Sequence, residues 1–213
     1  YEHCARAVRH GLRFGAHGLP LMGTGDWNDG MNRVGAEGRG ESVWMGFFLC
    51  AVIDALLPLA RARGDASRAT RWQAAREALA QALDAQAWDG RWYRRGWFDD
   101  GTPLGTHTAR ECRIDLIVQA WAVLTGATRP DRAAQALDSA WQELHDRDAH
   151  LLRLLWPPLK EHQPAAGYIQ AYPGGVRENG GQYNHGATWA LMASAHLGQA
   201  ERAWAAFTAI SRS

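Results

Sequence analysis

Apolar residues in this chain follow two alternating patterns, each about the length of a helix. Over residues 42–62 they occupy most sides of a helical projection, whereas over residues 67–87 they keep largely to one side. Gly64-Asp65 between these segments reads as a stop followed by a cap. The pair recurs. Residues 109–125 (Cys112, Ile114, Leu116, Ile117, Ala120, Trp121, Leu124) end at Gly126, and Pro130-Asp131 then opens a helix with Ala134, Leu137, Trp141 and Leu144 on one side. Residues 187–197 end at Gly198 and 200–210 follow; ahead of all three pairs, residues 1–17 (Cys4, Val8, Leu12, Phe14) carry an amphipathic pattern stopped near Gly18-Leu19-Pro20. A helix apolar on most faces is buried on both sides, and a one-faced helix covers it against water. The alternation therefore predicts an inner and an outer ring of helices.

The period, roughly 70 residues, exceeds that of solenoid repeats because long loops intervene at 21–40, 88–108 and 145–186. They hold strand-like pieces at 91–98, 151–156 and 168–172. Each loop leads into an apolar helix, so all should lie on one face of a helical toroid, and loops of this length in a compact domain are usually functional.

Composition narrows the function. The 23 basic and 22 acidic side chains give a net charge of +1, which offers no electrostatic reason to expect nucleic acid or an anionic membrane as partner. Cys4, Cys50 and Cys112 lack any paired spacing and read as buried hydrophobes in a reducing compartment. The most apolar stretch, residues 42–53, is shorter than the roughly 20 residues a membrane span needs, which favours a core helix. The start at Tyr1, without Met, fits the interior of a longer polypeptide. Eleven tryptophans suit both helix packing and sugar platforms.

The richest chemistry lies in residues 23–30, GTGDWNDG, where Asp26 and Asp29 flank Trp27 between glycines. An aromatic face beside a fixed carboxyl group suits a sugar ring with a glycosidic oxygen to protonate. The alternative is an Asx turn capping the next helix. Arg177-Glu178-Asn179-Gly180-Gly181 forms a second element, suited either to gripping sugar hydroxyls or to a solvated surface turn. His185, at the start of the last apolar segment, is placed either to bind an oxyanion or simply to cap a helix. Glu41 reads as part of the helix start beside Ser42, and Glu111 and Asp115 as neighbours on one inner-helix face. His3, His10 and His17 recur every seventh residue without convergent carboxylates, so no metal site is expected.

Four segments together resemble glycoside hydrolase family 94, the inverting phosphorylases of β-linked glucosides: 25–30 (GDWNDG), 40–44 (GESVW), 112–124 (CRIDLIVQAWAVL) and 168–185 (YIQAYPGGVRENGGQYNH). Within that family the chain looks like the C-terminal phosphorylase-like domain of cyclic β-1,2-glucan synthases. The resemblance implies an all-α (α/α)6 barrel, of which residues 1–213 would be the C-terminal half or so, truncated at both ends. It implies Asp29 as general acid, Trp27, Arg177 and Glu178 on the donor glucose, and His185 on phosphate. The co-substrate is then inorganic phosphate, with no cofactor and no metal. The expected partners are a β-glucan oligosaccharide, phosphate, the rest of a larger polypeptide and, as a further candidate, a second copy of the chain.

Phosphorolysis with inversion needs one carboxylic acid for the leaving oxygen. Phosphate is already anionic and needs positioning rather than a base, whereas an inverting hydrolase needs a second carboxylate. A donor working near neutral pH must resist ionisation, and Asp26 either supplies repulsion for that or serves as a structural cap. Trp97 and Tyr172 are candidate acceptor platforms. The family's Thr-Gly phosphate loop and its upstream donor-site Arg and Asp have no counterpart here, so the chain alone is expected to be inactive. The leading reading is a phosphorylase domain cutting or rebuilding β-1,2-glucosidic bonds, cytoplasmic and part of a large inner-membrane protein. The alternatives are a relative acting on cellobiose or laminaribiose linkages and a non-catalytic glucan-binding scaffold, which would need neither Asp29 nor His185.

Overall fold

Ser42 adopts extended backbone and its Oγ accepts the Met45 N–H, which starts the longest helix, α2 (Val43–Ala62). In this computed structural model, which describes residues 1–211, α2 is preceded by α1 (Glu2–Gly11) and followed by α3 (Ala66–Ala82), capped by Asp65. Then come α4 (Leu116–Thr125) and α5 (Pro130–Leu144), and finally α6 (Asn184–His196) and α7 (Ala200–Ser211). Arg212 and Ser213, the end of the expected domain, lie outside the described residues.

The chain is an all-α fragment in which α2, α4 and α6 each pack against the helix that follows, and α4 lies between α2 and α6. The alternation in apolar pattern is the physical cause. Helix α4 buries Leu116, Ile117, Val118, Gln119, Ala120, Ala122 and Val123, nearly its whole circumference, while α3 buries only Ala69, Trp72 and Leu79. By length and composition α2 is long and apolar enough to cross a membrane, more than its sequence pattern suggested. Its Phe47, Cys50, Ile53 and Leu57 are nevertheless buried in the core among the neighbouring helices.

The segments entering α2, α4 and α6 form one layer. β1 (Glu41–Ser42) pairs with β2 (Gly96–Trp97), which pairs with β3 (Pro103–Leu104). β4 (Ile114–Asp115) pairs with β7 (Leu155–Trp156), and β5 (His145–Asp146) with β6 (Leu151–Leu152). The loop before α4 is thus tied to the loops before both other inner helices. A second small core under this layer gathers Met22, Met31, Val34, Phe98, Leu104, Leu155 and Ile169.

Several boundaries differ from the sequence expectation. Helix α1 stops at Gly11 because residues 15–19 turn around the buried Glu41 carboxylate, which accepts the N–H groups of His17 and Leu19. Glu41 therefore lies in β1 and does not start a helix. Helix α4 begins at Leu116, not near 109, since Ile114 and Asp115 are extended in the β4–β7 pair. Glu111 and Asp115 share no helix face: Glu111 accepts the Lys160 and Glu161 N–H groups. Residues 83–87 widen into a π turn after α3. Residues 168–171 form a tight 3-10 turn instead of a strand, held by the Tyr168 N–H on Asn32 Oδ1.

Candidate active site

The GDWNDG loop lies against the N-terminal ends of α2 and α4, fixed there by a buried ion network. Arg95, just before β2, is fully buried and gives its two terminal amino groups to Asp26 at 2.6 and 2.7 Å. Its Nε donates to Asp115 Oδ2 at 3.1 Å. Asp26 also accepts the Ser42 hydroxyl at 2.6 Å and the Asn28 N–H at 2.9 Å. Asp115 caps α4 by accepting the Ile117 N–H. Burial alone would raise the Asp26 pKa, but the charge and hydrogen bonds of Arg95 outweigh it and hold this carboxyl below its ordinary value. Asp115, which receives only one arm of the guanidinium, is pushed up to about 6, first by burial and then by the negative charge of Asp26. Of the two roles open to Asp26, the structural one holds, and its charge is spent on Arg95.

Beyond that anchor, Asn28 Oδ1 accepts the Gly30 N–H and opens the short 3-10 turn Asp29–Met31, which presents Asp29 at the surface. Gly30 is required here: a Cβ would lie 2.9 Å from Ile169 Cβ, so the Asp29 turn packs directly on the Tyr168 turn. Tyr168 in turn meets Tyr172 edge-on, ring centroids 6.1 Å apart, and its phenol is raised by desolvation and then by the negative charge of Asp29.

Trp27 reaches in the other direction. Its indole Nε1–H donates to His185 Nδ1 at 2.9 Å, and its ring meets Tyr183 edge-on at 5.1 Å and Trp189 at 5.7 Å. An indole nitrogen can only donate, so His185 Nδ1 accepts and the imidazole proton sits on Nε2. His185 lies in the first turn of α6 and leans on Trp189 at 4.3 Å.

Arg177 and Glu178 occupy a strained turn, with Arg177 at φ +50°. The Arg177 guanidinium lies over Tyr172 at 4.8 Å and its Nε is 3.4 Å from Glu178 Oε2. That oxygen is buried and makes no hydrogen bond, the ion pair with Arg177 being its charged contact. Asn179 locks the turn from beneath, exchanging hydrogen bonds with Leu159 at 2.7 Å in both directions.

Asp29, Trp27, Arg177, Glu178 and His185 therefore gather at the same end of the inner helices. The acceptor candidates part company: Tyr172 stays near the site, whereas Trp97 is buried beneath His17, ring centroids 4.1 Å apart. His17 is paired with Glu41, and among the described residues it does not meet His3 or His10. Sequence reasoning missed Arg95, Tyr168 and Tyr183. Burial distinguishes Arg95 from its neighbours Arg91 and Arg94, and the sequence gives no sign of that.

Comparison with known proteins decides the family. Residues 1–212 match the glycosyl hydrolase 94 superfamily, catalytic domain. The chain belongs to glycoside hydrolase family 94. This family 94 chain is 52% identical over 208 residues to "Cyclic beta-(1,2)-glucan synthase NdvB" of Rhizobium meliloti, covering 97% of the chain and 7% of that protein. It is 38% identical over 191 residues to "3-O-beta-D-glucopyranosyl-beta-D-glucuronide phosphorylase" of Paenibacillus borealis, covering 89% of the chain and 24% of the relative. It is 34% identical over 212 residues to "Solabiose phosphorylase" of the same organism, covering 99% and 27%. The family 94 chain thus spans between 7% and 27% of the length of these curated relatives.

Proposed function

We propose that this chain forms one side of the active site of an inverting glycoside phosphorylase within a glucan synthase-like polypeptide, part of an (α/α)6 barrel. Its substrate in this reading is a β-1,2-glucan. Phosphate oxygen attacks C1 of the terminal glucose, the C1–O bond breaks, and Asp29 gives its proton to the departing oxygen, leaving α-glucose 1-phosphate. Phosphate needs no base, so one carboxylic acid suffices. Glu178 accepts from a donor-sugar hydroxyl, Arg177 flanks it, Trp27 lines the ring, and His185 Nε2–H points to the phosphate beside the positive end of α6. Identity to "Cyclic beta-(1,2)-glucan synthase NdvB" supports the β-1,2 linkage and a setting inside a larger synthase polypeptide, of which the chain matches 7%.

The observation that carries this reading is the Trp27–His185 hydrogen bond, which couples the acid loop to the anion-binding position. Asp29→Asn in the full-length protein tests it. Phosphate-dependent turnover should fall by roughly 10²–10⁴-fold while oligosaccharide binding persists; unchanged turnover would exclude Asp29 as the acid. Phosphate-dependent release from β-1,2-, β-1,3- and β-1,4-linked glucobioses should favour the first. Preference for another linkage would move the chain toward the disaccharide phosphorylases among its relatives.

A further inference from the structure

The Asp26–Arg95–Asp115 network lies outside the proposed chemistry yet is the most deeply buried charge cluster in the described chain. Its geometry does more than close a core. Arg95 is fixed through its backbone as well, donating its N–H to Leu104 O and accepting the Val43 N–H. Gly105 makes room for this, since a Cβ there would fall 2.5 Å from the Arg95 nitrogen. From this fixed point a relay of hydrogen bonds runs toward the surface: Arg95 to the Asp26 carboxylate, the Asn28 N–H to that same carboxylate, and Gly30 N–H to Asn28 Oδ1. Asp29 is the residue enclosed by the last of these bonds. The remaining partners, Ser42 and Asp115, are the N-caps of α2 and α4, so the guanidinium sets the acid loop relative to both helices.

We infer that Arg95 is a positioning residue for proton transfer from Asp29, acting through Asp26 and Asn28. This rests on the phosphorylase reading and adds a residue that touches no substrate. A displacement of about 1 Å in a catalytic group costs on the order of 100-fold in rate, and the relay has no slack to absorb one. The consequence is selective. Breaking a glucosidic bond needs the proton from Asp29. Breaking C1–F of β-glucosyl fluoride does not: phosphate oxygen forms the new bond to C1 and the electron pair leaves with fluoride.

The test uses the full-length protein, a β-1,2-linked glucobiose and β-glucosyl fluoride, each with inorganic phosphate. Arg95→Lys should lower kcat on the disaccharide by about 100-fold while fluoride release stays within roughly fivefold of the parent. Equal loss on both substrates would overturn the inference, because a loosened or unfolded site does not discriminate between leaving groups. Asp26→Asn, which keeps the shape of the anchor, provides a second measurement and should show the same discrimination. Failure of both variants to fold would also overturn it, by assigning the network to stability alone. A parent enzyme that turns over neither substrate with phosphate would defeat the phosphorylase reading itself.

Discussion

His185 has only its Nε2–H left to donate, because Trp27 already occupies Nδ1. The indole at position 27 is therefore a device that selects one tautomer of a neighbouring side chain. Trp27→Phe retains the aromatic face and removes the donor, which frees the imidazole to turn or to place its proton on either nitrogen. The KM for phosphate should then rise by about three- to tenfold, the value of one hydrogen bond, in steady-state assays of the full-length protein with phosphate varied. An unchanged phosphate KM would detach His185 from the anion. Glu178→Gln should act on the sugar side instead. It replaces one carboxylate oxygen by an NH2 donor, and a larger rise in KM for glucan than for phosphate is the expected signature.

The elements were partly legible in the sequence, and the pattern of success has a physical basis. Helices α2, α4 and α5 announce themselves through apolar periodicity and through Ser42, Gly126 and Pro130 at their ends, because those signals are local. The segments before them depend on distant partners. Residues 112–115 carry a helical pattern yet are drawn out by pairing with Leu155 and Trp156, and residues 12–17 by the Glu41 carboxylate. The same limit applies to the site. GDWNDG and RENGG are contiguous and readable, whereas Arg95 meets Asp26 across 69 positions. Two substitutions probe this tied layer. Gly40→Ala would set a Cβ 2.2 Å from Val34 O and should destabilise the protein by about 1–3 kcal/mol in thermal or denaturant melts. Asp115→Asn keeps the α4 cap but removes a titration. Between the ordinary value of 3.8 and about 6 only the folded chain holds the Asp115 proton, so this group's contribution to stability declines as pH rises through that window. Asp26 runs oppositely, its contribution lost as pH falls through its depressed value. Denaturant unfolding of the variant should accordingly decline less from pH 4 to 7 than that of the parent; identical slopes would refute the Asp115 assignment.

At the scale of the molecule, the three hairpins stop at an uncovered apolar face. Met192, Leu197, Trp204 and Phe207 of the α6–α7 hairpin are exposed, beside a groove of about 500 Å³ lined by Leu191, Ala195 and Ala203. A contiguous apolar patch of this kind favours association. Expressed alone, the 213-residue chain should self-associate with concentration in sedimentation experiments, and Trp204→Glu should reduce it; a monodisperse monomer at all concentrations would contradict this. The same chain should release no glucose 1-phosphate from glucan, since Asp29 and Arg177 are both exposed to solvent and a proton donor of this kind needs a site that excludes water.

The stitching of the mouth has a consequence for protein engineering. Because β1 is hydrogen-bonded to β2 and β4 to β7, the segments ahead of α2, α4 and α6 form a single woven rim. Grafting the segment ahead of α4 alone from another relative would sever both seams at once, and grafting either of its neighbours would sever one. Chimeras that exchange residues 12–42, 88–115 and 145–183 as a set should keep their seams intact, and only such sets offer a fair trial of which rim chooses which sugar.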